Sequence, residues 1–170
     1  MPESMPIQLR ALGVDDVDAL LRIQEHCYGA DFAEPREVFV RRLRTAGHCS
    51  WAAEQGGELV AYLAAYWSRP GSITPLNGDF AEYDDASVLY LHDMAVSEAA
   101  AGQGLARRMV QALKAQARAR GVQRTALVSV QGSRLYWERQ GYVVESVTNA
   151  AQQQHLDSYG EGALYMVGFI

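Results

Sequence analysis

The sequence predicts a single α/β domain spanning residues 1–170, and three observations carry that expectation. A chain of this length can bury a sizeable hydrophobic core without disulfide or metal staples. Short apolar runs of strand character alternate with stretches of helical period, as strands and helices around one core do. Near the middle, one such strand runs through a glycine loop directly into a long amphipathic helix. No internal repeat and no linker composition divides the chain.

Composition narrows the functional classes. Hydrophobic residues make up 49% and charged residues 21% of the chain, which is ordinary globular usage. The net charge of −5 disfavours a nucleic-acid partner held by a broad basic field, although Arg41, Arg42 and Arg44 form a local patch. Small or cationic substrates fit better. Cys27 and Cys49 have neither metal-ligand spacing nor the density of a disulfide scaffold, so reduced thiols and no metal site are expected. The longest apolar run, residues 59–67, is too short to cross a bilayer, and no basic-plus-apolar leader opens the chain. A cytoplasmic protein without a membrane partner is expected.

Taken in order, residues 15–27 place Val17, Leu20, Leu21 and Ile23 on one side behind acidic residues suited to a helix start. Pro35 opens a second, shorter helix in which Val38, Phe39 and Leu43 recur on one face before Gly47. Residues 50–54 and 59–67 favour strands, and Gln55-Gly56-Gly57-Glu58 between them supplies hairpin chemistry. Residues 68–86 hold Pro70, Gly71, Pro75, Asn77 and Gly78 and are expected to form a long loop that shapes a site. Residues 88–96 then form a buried strand, 104–120 a helix, 125–130 a strand and 133–140 a helix. Leu105, Met109, Val110, Leu113 and Ala117 share one face of the long helix, and Gly121 sits where a C-cap glycine belongs. Residues 142–147 and 163–169 close the chain as apolar strands joined by a polar connection with Gln152, Gln153, Gln154 and His155.

The chemistry concentrates where the strand ending Met94-Ala95-Val96 leads through Ala101-Gly102-Gln103-Gly104-Leu105-Ala106-Arg107 into the helix. Small residues let backbone approach a ligand closely, and free N–H groups at a helix N-terminus suit a pyrophosphate. A two-glycine loop alone is equally a plain strand-to-helix turn. It has neither the Lys-Ser/Thr ending of a Walker loop nor the three glycines of a dinucleotide fold.

The segment resembles motif A of the GNAT acetyltransferases, an apolar-Ala-Val strand end followed by a loop of the form Arg/Gln-x-x-Gly-x-Gly/Ala. Ala101 stands where the family usually has Arg or Gln. The later Tyr136-Trp137-Glu138-Arg139-Gln140-Gly141-Tyr142 resembles the family's aromatic helix ending in Gly-Phe. The resemblance covers nearly the whole chain and implies a central mixed, mostly antiparallel sheet flanked by about four helices. It implies acetyl-CoA as cofactor, with the pyrophosphate on the N–H groups of residues 102–107 and the pantetheine arm along Met94, Ala95 and Val96. Ser133 and Trp137 fall beside that path, Ser133 as a candidate helix cap. It implies an amine acceptor, either a small molecule, an amino acid or a protein amine, and is compatible with a homodimer.

Strand alternation puts Tyr90, His92 and Met94 on one face and Leu91, Asp93 and Ala95 on the other. In GNAT members with a histidine base on this strand, it lies four residues before the terminal valine, which is His92 here. A structural hydrogen bond is the competing reading of the same histidine. Asp93 is expected to be structural. The tyrosine that usually serves the family as general acid falls at Trp137; Tyr136, one residue earlier, points about 100° away, so it is a candidate acid if the helix is locally shifted and otherwise packs in the core. Tyr90 is a further candidate donor. The family's strand commonly carries a bulge near Met94 to Val96 that frees an N–H for the acetyl carbonyl. Asp79, Glu82, Asp84 and Asp85 either attract a cationic amine or are simply solvated. Two other functions stay open: a CoA-binding module without turnover, and a plain α/β interaction domain.

Overall fold

The computed structural model describes residues 5–29 and 32–170. Seven strands form one sheet in the order β1-β2-β3-β4-β5-β7-β6. They are β1 (Ile7–Ala11), β2 (Trp51–Gln55), β3 (Glu58–Ser68), β4 (Val88–Val96), β5 (Arg124–Ser129), β6 (Val143–Val144) and β7 (Leu164–Phe169). Every neighbouring pair is antiparallel except β4 and β5, which run parallel. The helices are α1 (Val17–Tyr28), α2 (Arg36–Arg44), α3 (Leu105–Ala119), α4 (Arg134–Arg139) and α5 (Ala150–Asp157). The mixed, mostly antiparallel sheet expected from the sequence is the one observed, with five α-helices.

Local signals explain most boundaries. Gln55 faces Glu58 across a two-residue turn in which Gly56 and Gly57 both take positive φ, 60° and 83°, the mirror-image turn that matches strand twist. Helix α3 ends where Gly121 turns left-handed at φ 75° and the buried Val122 returns its N–H to the Ala117 carbonyl at 2.9 Å. The apolar stripe of α3, including Met109 and Leu113, packs with Leu63, Leu89 and Leu91 on one face of the sheet. Burying each such side chain stabilises the fold by about 1.5–3 kcal/mol. On the opposite face, Val17 and Leu20 of α1 and Phe39 of α2 pack against Tyr62.

Three expectations are corrected. Strand β1 is not signalled in the sequence; it completes the edge by pairing with β2. The strand expected over 142–147 shrinks to Val143–Val144, because Tyr142 turns inward at the end of α4 and packs edge-on against Trp137. The polar connection after it is helix α5, with the Asn149 side chain accepting the Gln152 N–H at its start. That helix has only Leu156 buried, so its sequence carries no apolar stripe. Its side chains instead satisfy loop backbone. Gln152 accepts from the Ile73 N–H at 2.7 Å, His155 Nδ1 donates to the Ile73 carbonyl at 2.6 Å, and just beyond the helix Ser158 accepts from the Leu76 N–H at 2.9 Å. The long loop between β3 and β4 is thereby held in place.

Candidate active site

The parallel pairing of β4 with β5 runs only from Val88 opposite Arg124 to Leu91 opposite Leu127. Beyond it the strands part, and a cleft of about 290 Å³ opens between Met94 on one side and Val128 and Val130 on the other. The strands part where β4 is bulged. Asp93 pairs with Ala64 and Leu91 with the next residue, Ala65, so His92 is the extra residue in β4. The bulge therefore lies two residues before the expected stretch of Met94 to Val96. It also breaks the alternation read from the sequence. His92 keeps company with Tyr90 and Phe80, Asp93 joins it on the α1 side by bonding Tyr62, and Met94 returns to the α3 side.

In the turn between β4 and α3, Gly102 and Gly104 take φ of 77° and 70°, so a side chain at either position would be conformationally strained. Gly104 occupies the N-cap of α3 without a side-chain cap, and no acidic residue lies in the first turn. The first α3 amide recorded as donating to the backbone is that of Arg108, to the Gly104 carbonyl at 3.1 Å. The preceding amides of Leu105, Ala106 and Arg107 are the ones a helix start leaves without helical partners. A Cβ on Gly102 or Gly104 would meet nothing within 4 Å, so the space over the loop is open. Leu105 is buried and anchors the turn, while Ala101, Gln103 and Arg107 are exposed. This geometry fits a phosphate group held by backbone and the positive end of a fifteen-residue helix. Nearby, the carbonyls of Met94 and Val96 accept from α1 side chains, the Tyr28 hydroxyl at 2.5 Å and the Cys27 thiol at 3.4 Å. Ala95 points its side chain into the α1 face of the core.

The cleft wall itself carries a buried charge network. His92 Nε2 lies 2.9 Å from Glu34 Oε1, and both guanidinium NH groups of Arg42 donate to the same carboxylate, the first at 2.7 Å. The Asn77 N–H donates to Glu34 Oε2 at 2.8 Å, and Arg42 Nε donates to the Gly78 carbonyl at 2.9 Å. Three separate parts of the chain thus meet on one carboxylate: the α1–α2 connection running into α2, the β3–β4 loop and β4. The backbone of Glu34 is fixed in turn by the buried Gln24 side chain, which donates to its carbonyl and accepts from its N–H. Burial would raise the Glu34 pKa, but the facing His92 and the Arg42 guanidinium outweigh it and hold the carboxyl well below its usual range. Arg42 is sandwiched at 5.6 Å from the Phe39 ring and 5.1 Å from the Phe80 ring. The His92 imidazole is 2% exposed, and its Nδ1 atom has no protein partner.

The remaining candidates separate clearly. Tyr90 is buried outside the cleft wall, stacked on His92 with its hydroxyl sealed from solvent, so it has no route to a leaving thiolate. Tyr136 is not in the core: it is 41% exposed at the cleft, while Trp137 takes the core-facing position against Tyr142. Ser133 lies on the cleft at the N-cap of α4, but its hydroxyl pairs with Ser129 Oγ at 2.9 Å and makes no cap bond. The loop acids serve elsewhere. Asp79 pairs with Arg41 and Asp85 with Arg69, Glu82 accepts from the Ala46 N–H, and none of these, nor Asp84, lines the cleft.

The acetyltransferase (GNAT) family model matches residues 17–142. The chain belongs to the GNAT family. None of the curated protein sequences matches it. Among solved structures, the loading GNATL domain of CurA from Lyngbya majuscula superposes with a TM-score of 0.71 at 13% identity, covering 96% of this chain and 97% of that one. The PaiA N-acetyltransferase from Thermoplasma acidophilum, solved in complex with coenzyme A, gives 0.66 at 11% identity, covering 98% and 100%. N-acetylglutamate synthase from Neisseria gonorrhoeae, complexed with coenzyme A and N-acetyl-glutamate, gives 0.68 at 17% identity, covering 98% of this chain and 36% of that one. These likenesses show the fold.

Family membership makes acyl transfer the class of chemistry to test against the cleft. Relative to the GNAT motif, replacing Arg or Gln by Ala101 removes one exposed side chain and leaves the backbone turn intact. Sequence reading missed Glu34, Arg42 and Asp93 as site residues, because Glu34-Pro35 reads as a helix start and Arg42 as surface charge. Asp93 lines the cleft, accepts the Tyr62 hydroxyl at 2.6 Å, and burial, partly offset by that bond, raises its pKa. The one available signal was Arg42 itself, placed between Val38, Phe39 and Leu43 on a helix whose apolar stripe it extends.

Proposed function

We propose that the protein is an acetyl-CoA-dependent N-acetyltransferase that passes the acetyl group directly to a primary amine in a ternary complex. What carries this reading is an open uncapped helix start that follows the same strand as a buried histidine whose Nε2 is tied to an ionised glutamate. The N–H groups of residues 102–107 would hold the pyrophosphate, with Arg107 at the rim, and Met94, Ala95 and Val96 would border the pantetheine arm. Acetyl-CoA, when bound, supplies an acyl group activated as a thioester.

An ionised Glu34 can only accept, so His92 Nε2 carries the proton of that contact and, in the neutral ring, Nδ1 keeps a lone pair. Nδ1 is then the atom that takes the acceptor's proton, directly or through one water. Glu34 stabilises the imidazolium that results, and it is held in turn by Arg42 and the Asn77 N–H. Tyr136, at the cleft with no hydrogen bond of its own among the described residues, is the hydroxyl positioned to protonate the leaving thiolate. The bulge at His92 leaves a residue out of the ladder, where an N–H polarises the acetyl carbonyl.

A CoA-binding module without turnover is the second reading, and the 2% exposure of His92 favours it. Titration with acetyl-CoA, followed by an amine panel scored by thiol release, separates the two. Saturable binding with release that His92→Ala abolishes supports catalysis. Binding without release on any amine supports the module. Absence of binding removes both. Among the described residues no helix is long and apolar enough to cross a membrane. We take the whole chain as one catalytic domain acting in the cytoplasm, with no metal and with a homodimer as its candidate assembly.

A further inference from the structure

The acceptor half of the cleft differs from its surroundings in charge. Its wall includes Tyr28, Phe32, Leu76 and Tyr159, which bring aromatic and aliphatic surface from α1, the α1–α2 connection, the β3–β4 loop and the segment after α5. Among the described residues no arginine or lysine lines it. Arg42, which reaches Glu34 from behind the wall, is 1% exposed and has all three of its donor nitrogens committed to Glu34 and the Gly78 carbonyl. The carboxylates are engaged too, Glu34 through both oxygens and Asp93 through one. Glu34 accepts four hydrogen bonds, from two Arg42 nitrogens, His92 and the Asn77 N–H. Asp93, partly buried, accepts the Tyr62 hydroxyl on Oδ2 at 2.6 Å, and burial raises its pKa towards the neutral form. The aromatic hydroxyls are also engaged: Tyr28 donates to the Met94 carbonyl and Tyr159 to the Thr74 carbonyl at 2.7 Å. Among the buried polar side-chain atoms of this wall, His92 Nδ1 is the one without a partner among the described residues.

A chamber so arranged can match one polar nitrogen and an apolar body. Among the described residues its lining has no arginine or lysine with which to neutralise a carboxylate. Taking a carboxylate from water into such a site without a counter-charge is costly, and even a 1.4 kcal/mol difference is a factor of about ten in affinity. We infer that the acceptor is a primary amine on an uncharged aromatic or aliphatic body, and that the chamber discriminates against the free α-carboxylate of an amino acid. This rests on the acetyl-transfer reading above and narrows it.

Four amines test the inference: phenethylamine, L-phenylalanine, L-phenylalaninamide and ethanolamine. Phenylalanine adds a carboxylate to phenethylamine, the amide adds the same bulk without charge, and ethanolamine lacks the apolar body. Each is measured twice, by calorimetric binding to the CoA-loaded protein and by thiol release with acetyl-CoA. Phenethylamine and the amide are expected to exceed phenylalanine and ethanolamine by about tenfold or more in affinity and in kcat/KM. Phenylalanine or ethanolamine equalling phenethylamine overturns the inference, as does failure of all four to bind. Binding in the expected order without thiol release overturns the transfer reading and leaves the chamber's selectivity standing. Release in a different order does the reverse.

Discussion

Of the candidate site's two ends, the turn at residues 102–107 presents backbone open to solvent, whereas the cleft around His92 is walled by side chains whose charges are already paired within the protein. The first end is contiguous in sequence: a strand end, a turn with two left-handed glycines and a helix start. The second end gathers Glu34, Arg42, Asn77 and His92 from three separate parts of the chain. One end offers unsatisfied donors, which ask for an anion. The other offers a satisfied network with one free nitrogen. The difference teaches that recognition of a phosphate can be written locally, while a histidine's protonation chemistry depends on a partner the fold must deliver.

Substitutions at the two ends test whether they are as separate as they look. The largest effect is expected from His92→Ala, which should lower kcat by about 10²–10⁴ while leaving acetyl-CoA affinity unchanged in calorimetry. Equal loss of binding would mean that the ends are coupled. Glu34→Gln should follow, destabilising the protein by about 3–5 kcal/mol in denaturant titration, because Arg42 remains buried without a counter-ion. The folded-state pKa of Glu34 lies below its ordinary 4.5, so its stabilisation is present above that pH and is lost as pH falls further. The gap between wild type and this variant should therefore narrow in acid.

Gly104→Ala should cost about 1–2 kcal/mol of stability through its left-handed conformation and no more, since its Cβ meets no protein atom. The same Cβ projects into the space over the loop. Acetyl-CoA affinity should thus fall by about tenfold while His92 chemistry, read as kcat at saturation, is retained. The smallest effect concerns Asp93→Asn. A buried carboxyl with a raised pKa disfavours folding once pH rises above its unfolded value of 3.8. The variant should melt about 2–4 °C higher at neutral pH and converge with wild type in acid.

How much of this was legible in the sequence follows the same division. The hairpin at Gly56-Gly57, the amphipathic α3 with its Gly121 stop and the loop-to-helix turn at Gly104 are each set by a few neighbouring residues. Helix α5 escaped because it buries one leucine and otherwise serves the backbone of another segment, leaving no periodicity to detect. The bulge escaped as well, since Leu91-His92-Asp93 reads as unbroken alternation until β3 imposes the register. Tyr136 and Trp137 exchanged expected places because a six-residue helix is rotated by what Trp137 packs on, not by its own sequence.

By itself, then, the sequence determined the α/β class, the strand–glycine–helix unit and its resemblance to motif A, since these depend on local propensity, capping and turn conformation. Only the tertiary structure decided where β4 bulges, which tyrosine reaches the cleft and which carboxylate holds His92. Those depend on contacts between segments as far apart as Glu34 and His92, whose energy exists only after the chain has folded.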